Sequence, residues 1–207
     1  MKHELTTPES LNAHIDTLVE LVQVLPLTGV SILTGGNGRG KSLVRQQLVH
    51  PTKKAGLRLA STSLEKRTSS NPDLGCLSGM NRDLAWLPSS VATLDQVEGV
   101  LKARYGVPTY VVIDEPELGM GEETVLALGT YLTQLLAERP EAIVGVLIIT
   151  HSRQLVASLA YDNFYNLDGY ETAQQWLTRP VVAADLAALR LNALSDAIQA
   201  RSRQVEM

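Results

Sequence analysis

Eight residues, GGNGRGKS at positions 35–42, restrict what this chain can fold into more than any other stretch. Glycines at 35, 36, 38 and 40 let the backbone turn tightly and aim successive N–H groups at one point. The octapeptide stands between GVSILT (29–34), a short β-rich apolar run, and a helical segment from Ser42 to about His50 that Pro51 is expected to stop. A strand, a glycine turn and a helix in that order require the helix to pack back over a sheet.

The alternation continues. GLRLAS (56–61) and TYVVID (109–114) read as strands, and IVGVLIIT (143–150) is the near-continuous apolar run of a strand buried on both faces. Ser89 to about Arg104 carries Val91, Leu94, Val97 and Leu101 at helical spacing, and Glu122 to Glu138 reads as another helix. Upstream, Leu11, Ile15, Leu18, Val22 and Leu25 mark an amphipathic helix after Thr7-Pro8 that Pro26 ends. Downstream, NFYNLDGYETAQQWL (163–177) is expected to form a hairpin turned at Asp168-Gly169. A final helix from 183 to about 203 places Ala187, Leu191, Leu194 and Ile198 on one face. Thr62 to Pro88, rich in Ser, Asn, Pro and Gly, reads mostly as loop.

The pattern predicts an α/β fold, a mainly parallel sheet flanked by helices, as one domain over 1–207. Its parts are an N-terminal helix (1–27), a core (28–61 and 105–178), a reduced helical insert (62–104) and a C-terminal helix (179–207).

Composition removes several function classes. With 18 basic and 22 acidic residues the net charge is −4, which gives no overall bias towards nucleic acid, and the few aromatic residues are sparse for a surface that stacks on single strands. A lone cysteine, Cys76, excludes an internal disulfide and zinc-type cysteine spacing. No run reaches the length of an apolar span, and MKHELTTPES lacks the apolar centre of a signal peptide, so a cytoplasmic protein without membrane insertion is expected. Basic residues do cluster locally (Arg39, Lys41, Arg45, Lys53, Lys54, Arg58, Lys66 and Arg67, against the acid Glu65). That cluster suits either a solvated face or contact with DNA phosphates.

GGNGRGKS matches G-x-x-x-x-G-K-[ST] in the strand-to-helix setting that the motif needs to cradle phosphate. The nucleotide-binding set is Gly35, Gly36, Asn37, Gly38, Arg39, Gly40, Lys41, Ser42 and Leu43. Lys41 is expected to pair with the β- and γ-phosphates of ATP, and the Ser42 hydroxyl to ligate Mg²⁺. Asp114, at the C-terminal end of TYVVID, is the second metal-facing residue, and Glu115 beside it is the candidate catalytic base for the attacking water. His151 follows the next apolar strand and is expected at the γ-phosphate or that water. Glu117, Glu122 and Glu123 read as a solvated acidic face, and His3, His14 and His50 lack such a context.

The trio GGNGRGKS, VVIDEPE and IITHS resembles the ATP-binding-cassette class of P-loop ATPases, in its soluble, non-transporter (SMC, RecF and MutS-like) branch, over about residues 29–169. The resemblance implies a P-loop NTPase fold and a head-to-tail dimer in which each ATP is sandwiched between one subunit's phosphate loop and the other's signature helix. In PSSVATL, Ser89 or Ser90 stands in the place of the signature serine, without the usual glycine pair. Gly121 replaces the usual D-loop aspartate, no Q-loop glutamine is evident, and no aromatic-bearing β-subdomain precedes the first strand. The stretch from Ser42 to Asp114 is too short for a transporter's helical subdomain, and with KSLVRQQL and SSVATLDQVEG it looks closest to the MutS ATPase domain. The implied function is ATP hydrolysis coupled to nucleotide-dependent dimerisation and an unidentified protein partner; the clamp, lever and mismatch-reading domains of the MutS proteins are absent, so a place in DNA metabolism is left open. The alternatives are a nucleotide-gated binding module with weak hydrolysis and the nucleotide-binding subunit of a transporter.

Overall fold

The computed structural model describes residues 8–36, 38–62 and 89–180, without the side chains of 8–15 and Ser89. Asn37, Cys76, Lys66, Arg67, most of the expected insert and the expected C-terminal helix lie outside the described residues. The fold below belongs to one compact unit, Met1–Leu177; a second, Thr178–Met207, is described only at its first three residues.

Among the described residues, five strands, β1 (Gly29–Thr34), β2 (Arg58–Thr62), β3 (Thr109–Asp114), β4 (Ile143–Ile149) and β5 (Asn163–Asn166), form one sheet in the order β2-β3-β4-β1-β5. Every pairing is parallel. The three middle strands show why their sequences are apolar almost throughout. Ile32, Val111, Ile113, Val146 and Ile148 point into one core, and their neighbours Leu33, Tyr110, Val112, Leu147 and Ile149 into another on the opposite face.

Helices fill both layers. α1 (Pro8–Val24) and α2 (Lys41–Gln47) cover the second core with Leu18, Val22, Val44 and the following Leu48. α3 (Val49–Lys54) continues beyond α2. The first core is closed by α4 (Ser89–Lys102), α5 (Glu122–Ala137) and α6 (Arg153–Ser158), through Val97, Leu101, Leu128, Leu132 and Leu155. Among the described residues no helix is long and apolar enough to cross a membrane.

Two local expectations are corrected. Pro51 does not stop a helix, because a fresh helix begins at Val49 and proline occupies its first turn, where no backbone donor is required. The hairpin over 163–177 does not form. Only Asn163–Asn166 is a strand, parallel to β1, and the second arm is helix α7 (Ala173–Thr178). Thr172 and Gln175 fix that helix start reciprocally: Gln175 N donates to Thr172 Oγ1 (3.3 Å) and Thr172 N to Gln175 Oε1 (2.8 Å). Trp176 then packs beneath Phe164, with ring centroids 5.8 Å apart.

The topology positions the site. The chain leaves β1 over one face, through α2, and leaves β4 for β5 over the other, through α6. Connections thus diverge at the C-terminal end of β1, and in an open parallel sheet such a divergence opens a crevice at that edge.

Candidate active site

The edge at which the strands end gathers most of the residues that the sequence singles out. Gly35–Gly40 follows β1, Asp114 and Glu115 end β3, and Thr150 and His151 end β4, which lies between β1 and β3. Interposing β4 sets His151 between the glycine loop and the acidic pair.

The loop is shaped by close approach. Gly35 has a φ of +150°, and a Cβ there would stand 2.8 Å from Leu167 Cβ in the segment after β5. Gly40 is left-handed, with a φ of +88°, and turns the backbone into α2, where Val44 N donates to its carbonyl (2.9 Å). The Asp168 carboxylate closes the turn by accepting from Gly36 N (2.9 Å, Oδ2) and Arg39 Nε (3.0 Å, Oδ1). Lys41 is 8% exposed and its Nζ donates to the carbonyls of Gly35 and Gly36, both at 3.1 Å. Burial pushes its ammonium below the ordinary lysine range, while Glu115, Asp114, Asp168 and Glu117 pull it back towards charge. Ser42 is exposed on α2 and Leu43 packs against the second core.

Beyond the ends of β3 and β4, Glu115 Oε1 stands 3.0 Å from His151 Nε2. Glu115 has a φ of +49°, left-handed for a residue with a side chain, and its N–H donates to Ile149 O in β4 (2.8 Å). Glu117 is not part of a solvated acidic face. It is partly buried, with Oε1 accepting from Thr150 Oγ1 (2.5 Å) and His151 N (3.1 Å), because the chain after β3 turns back over the end of β4. Glu122 and Glu123 are exposed in the first turn of α5.

Asp114 Oδ2 accepts from Arg45 Nη1 at 3.0 Å. Of the basic cluster, then, Arg39 and Arg45 pair with carboxylates, Lys41 is buried, and Arg58 lies over the Tyr105 ring at 5.3 Å. Lys53 and Lys54 are exposed.

Ser89 and Ser90 are not brought to the loop of their own chain. They begin α4, which packs on β2 and β3, and β2 is separated from β1 by two strands. Gln96, midway along α4, meets Thr62 at the C-terminal end of β2 (Oγ1 to Oε1, 3.1 Å), and α4 runs on towards the start of β3. Its first residues therefore stand beyond the same sheet edge as the glycine loop.

Sequence reasoning missed Asp168, Arg45, Glu117 and Thr150 as members of this cluster. Asp168 sat in an expected turn, and the partners of the others lie far along the chain, where no local spacing pairs them. The chain matches no family model, and a search of curated proteins returns no match either.

Proposed function

We propose that this chain binds Mg-ATP at Gly35–Ser42 and hydrolyses it, as an ATPase resembling the soluble ATP-binding-cassette type. The observation that carries the reading is the Glu115–His151 contact (3.0 Å) beside Asp114, at the ends of β3 and of β4, the latter the neighbour of the strand that leads into GGNGRGKS. Motif matches alone do not require that convergence.

The residues suit Mg-ATP. Among the described residues no group of three or more His, Cys, Asp or Glu forms a metal cage. Magnesium at nucleotide sites needs none, because one or two protein oxygens and the phosphates hold it. Ser42 and Asp114 supply hard oxygen donors of that kind. When bound, the ion neutralises charge on the β- and γ-phosphate oxygens.

Lys41, already turned into the loop, would exchange two carbonyls for phosphate oxygens, which reward its charge more strongly. Glu115 accepts a proton from water as the water oxygen bonds to the γ-phosphorus. The bond to the β–γ bridging oxygen breaks, leaving ADP and inorganic phosphate. His151, through Nε2, orients that carboxylate.

Calorimetry and turnover test the reading. Lys41→Ala is expected to abolish most ATP binding, and Glu115→Gln to keep binding while losing turnover. Unchanged binding in the first variant or unchanged turnover in the second refutes the assignment.

The Arg45–Asp114 pair favours a second reading, a nucleotide-gated binding module with poor hydrolysis, since a carboxylate engaged by arginine is a weaker metal ligand. Absence of wild-type turnover despite tight ATP binding would select it.

The position of Ser89 and Ser90 beyond the shared edge supports a head-to-tail dimer in which they complete a partner's site. Light scattering of Glu115→Gln should report dimer only with Mg-ATP, and a monomer in both conditions refutes the sandwich. A protein partner, and DNA as a client, belong to the same proposal.

A further inference from the structure

We infer that Glu117 is a positioning residue that holds His151 against Glu115 by tying the end of β4 to the segment after β3, an inference that rests on the ATPase reading above. Two links fasten these segments. Glu115 N donates to Ile149 O (2.8 Å), and Glu117 Oε1 accepts from Thr150 Oγ1 (2.5 Å) and His151 N (3.1 Å). Between them Glu115 is held at a φ of +49°, a conformation that a residue with a side chain keeps only when its surroundings impose it.

The tie continues into the element that carries His151. Thr150 Oγ1, fully buried, accepts from Ser152 N (2.9 Å), and Ser152 Oγ accepts from Leu155 N (3.1 Å) to cap α6. One carboxylate oxygen thereby orders the backbone of His151 and the residues on both sides of it. The other, Glu117 Oε2, is buried with no hydrogen-bond partner, a cost that mere solvation of an acidic face would never incur.

What Glu117 contributes on this account is an acceptor, not a charge. Glutamine can accept the same two bonds, whereas alanine cannot. That difference separates positioning from a direct role in metal binding or proton transfer.

The test measures ATP affinity and turnover of the full chain for Glu117→Ala, Glu117→Gln and Thr150→Val, together with the NMR resonances of the His151 ring, assigned through His151→Gln. Glu117→Ala is expected to lower kcat about tenfold or more while the dissociation constant for ATP stays within about threefold. Glu117→Gln is expected to stay within about threefold of wild type. The His151 ring resonances should move in the alanine variant and hold in the glutamine variant. Equal turnover in Glu117→Ala and wild type, or equal losses in Ala and Gln, overturns the inference. If Glu117→Ala does not fold, Thr150→Val carries the expectation, with kcat down several-fold at unchanged ATP affinity; a wild-type kcat there overturns it. A wild type that neither binds nor turns over ATP sinks the hydrolase reading alone, and unmoved His151 resonances in Glu117→Ala then still refute the positioning.

Discussion

Arg45 Nη1 meets Asp114 Oδ2 at 3.0 Å, with side chains only 16% and 15% exposed, and so links the helix after the glycine loop to the end of β3. A carboxylate so engaged is both a structural partner and the residue proposed to face the metal, and the two roles compete.

Arg45→Met is therefore expected to act in opposite directions on fold and ligand. Removing one member of a sheltered pair leaves Asp114 without that donor, which should cost about 1–3 kcal/mol of stability in urea unfolding. The same change frees the carboxylate, so half-saturation of ATP binding should need less Mg²⁺. A Mg²⁺ requirement that rises or stays unchanged would show that the two roles do not compete.

Asp168 makes a second prediction, through preorganisation. Its two oxygens hold Gly36 N and Arg39 Nε, so Asp168→Ala releases the loop before nucleotide arrives. Losing roughly 1 kcal/mol of ordering should weaken ATP binding about fivefold to tenfold with kcat little changed. Asp168→Asn, which keeps one acceptor, should fall between. An effect confined to kcat would move Asp168 out of this role.

How far this cluster could be read in advance depends on whether a local pattern encodes it. The glycine loop, the apolar strands and the acid at the end of TYVVID were legible because spacing along the chain and burial across the sheet impose them. Arg45, Glu117 and Asp168 were not, since each acquires its role from a partner at or just beyond the end of another strand, and strand order is a tertiary property. The sequence did hold one overlooked signal. Thr172 with Gln175 is a capping pair, which marks a helix where alternating residues suggested a strand. Pro51 misled for a different reason, because its effect depends on its position within a helix.

Lys41 predicts a pH dependence of stability. Its folded-state pKa is lowered by burial from the ordinary 10.5, so below the folded value the chain must keep a buried ammonium, at a cost. Between that value and 10.5 the unfolded chain binds a proton that the folded chain does not, and stability rises with pH across that window. Tyr105, Tyr110, Tyr161 and Tyr165, all raised by burial, push the opposite way at higher pH. Subtracting Lys41→Met cancels the tyrosines. The wild type should gain on this variant in urea midpoints as the pH rises towards 10.5. A difference that is flat or of opposite slope refutes the burial assigned to Lys41.

The last prediction concerns the strain at Glu115. Elsewhere in a folded chain alanine is more stabilising than glycine, because glycine loses more backbone freedom on folding. At a φ of +49° the order should invert, since a Cβ is crowded there and glycine is not. Glu115→Ala and Glu115→Gly both remove the carboxylate and its contact with His151, a partly exposed pair whose own contribution is small, so their difference isolates the backbone. Glu115→Gly should be the more stable of the two by about 1 kcal/mol in urea unfolding. Both should be inactive in turnover while binding ATP. If alanine proves the more stable, the left-handed turn is not imposed by the fold, and Glu115 reaches His151 by some other path of the backbone. If glycine wins and even approaches wild-type stability, the chain is holding a strained residue where the proposed chemistry needs a carboxylate, which separates what the site requires from what the fold alone would select.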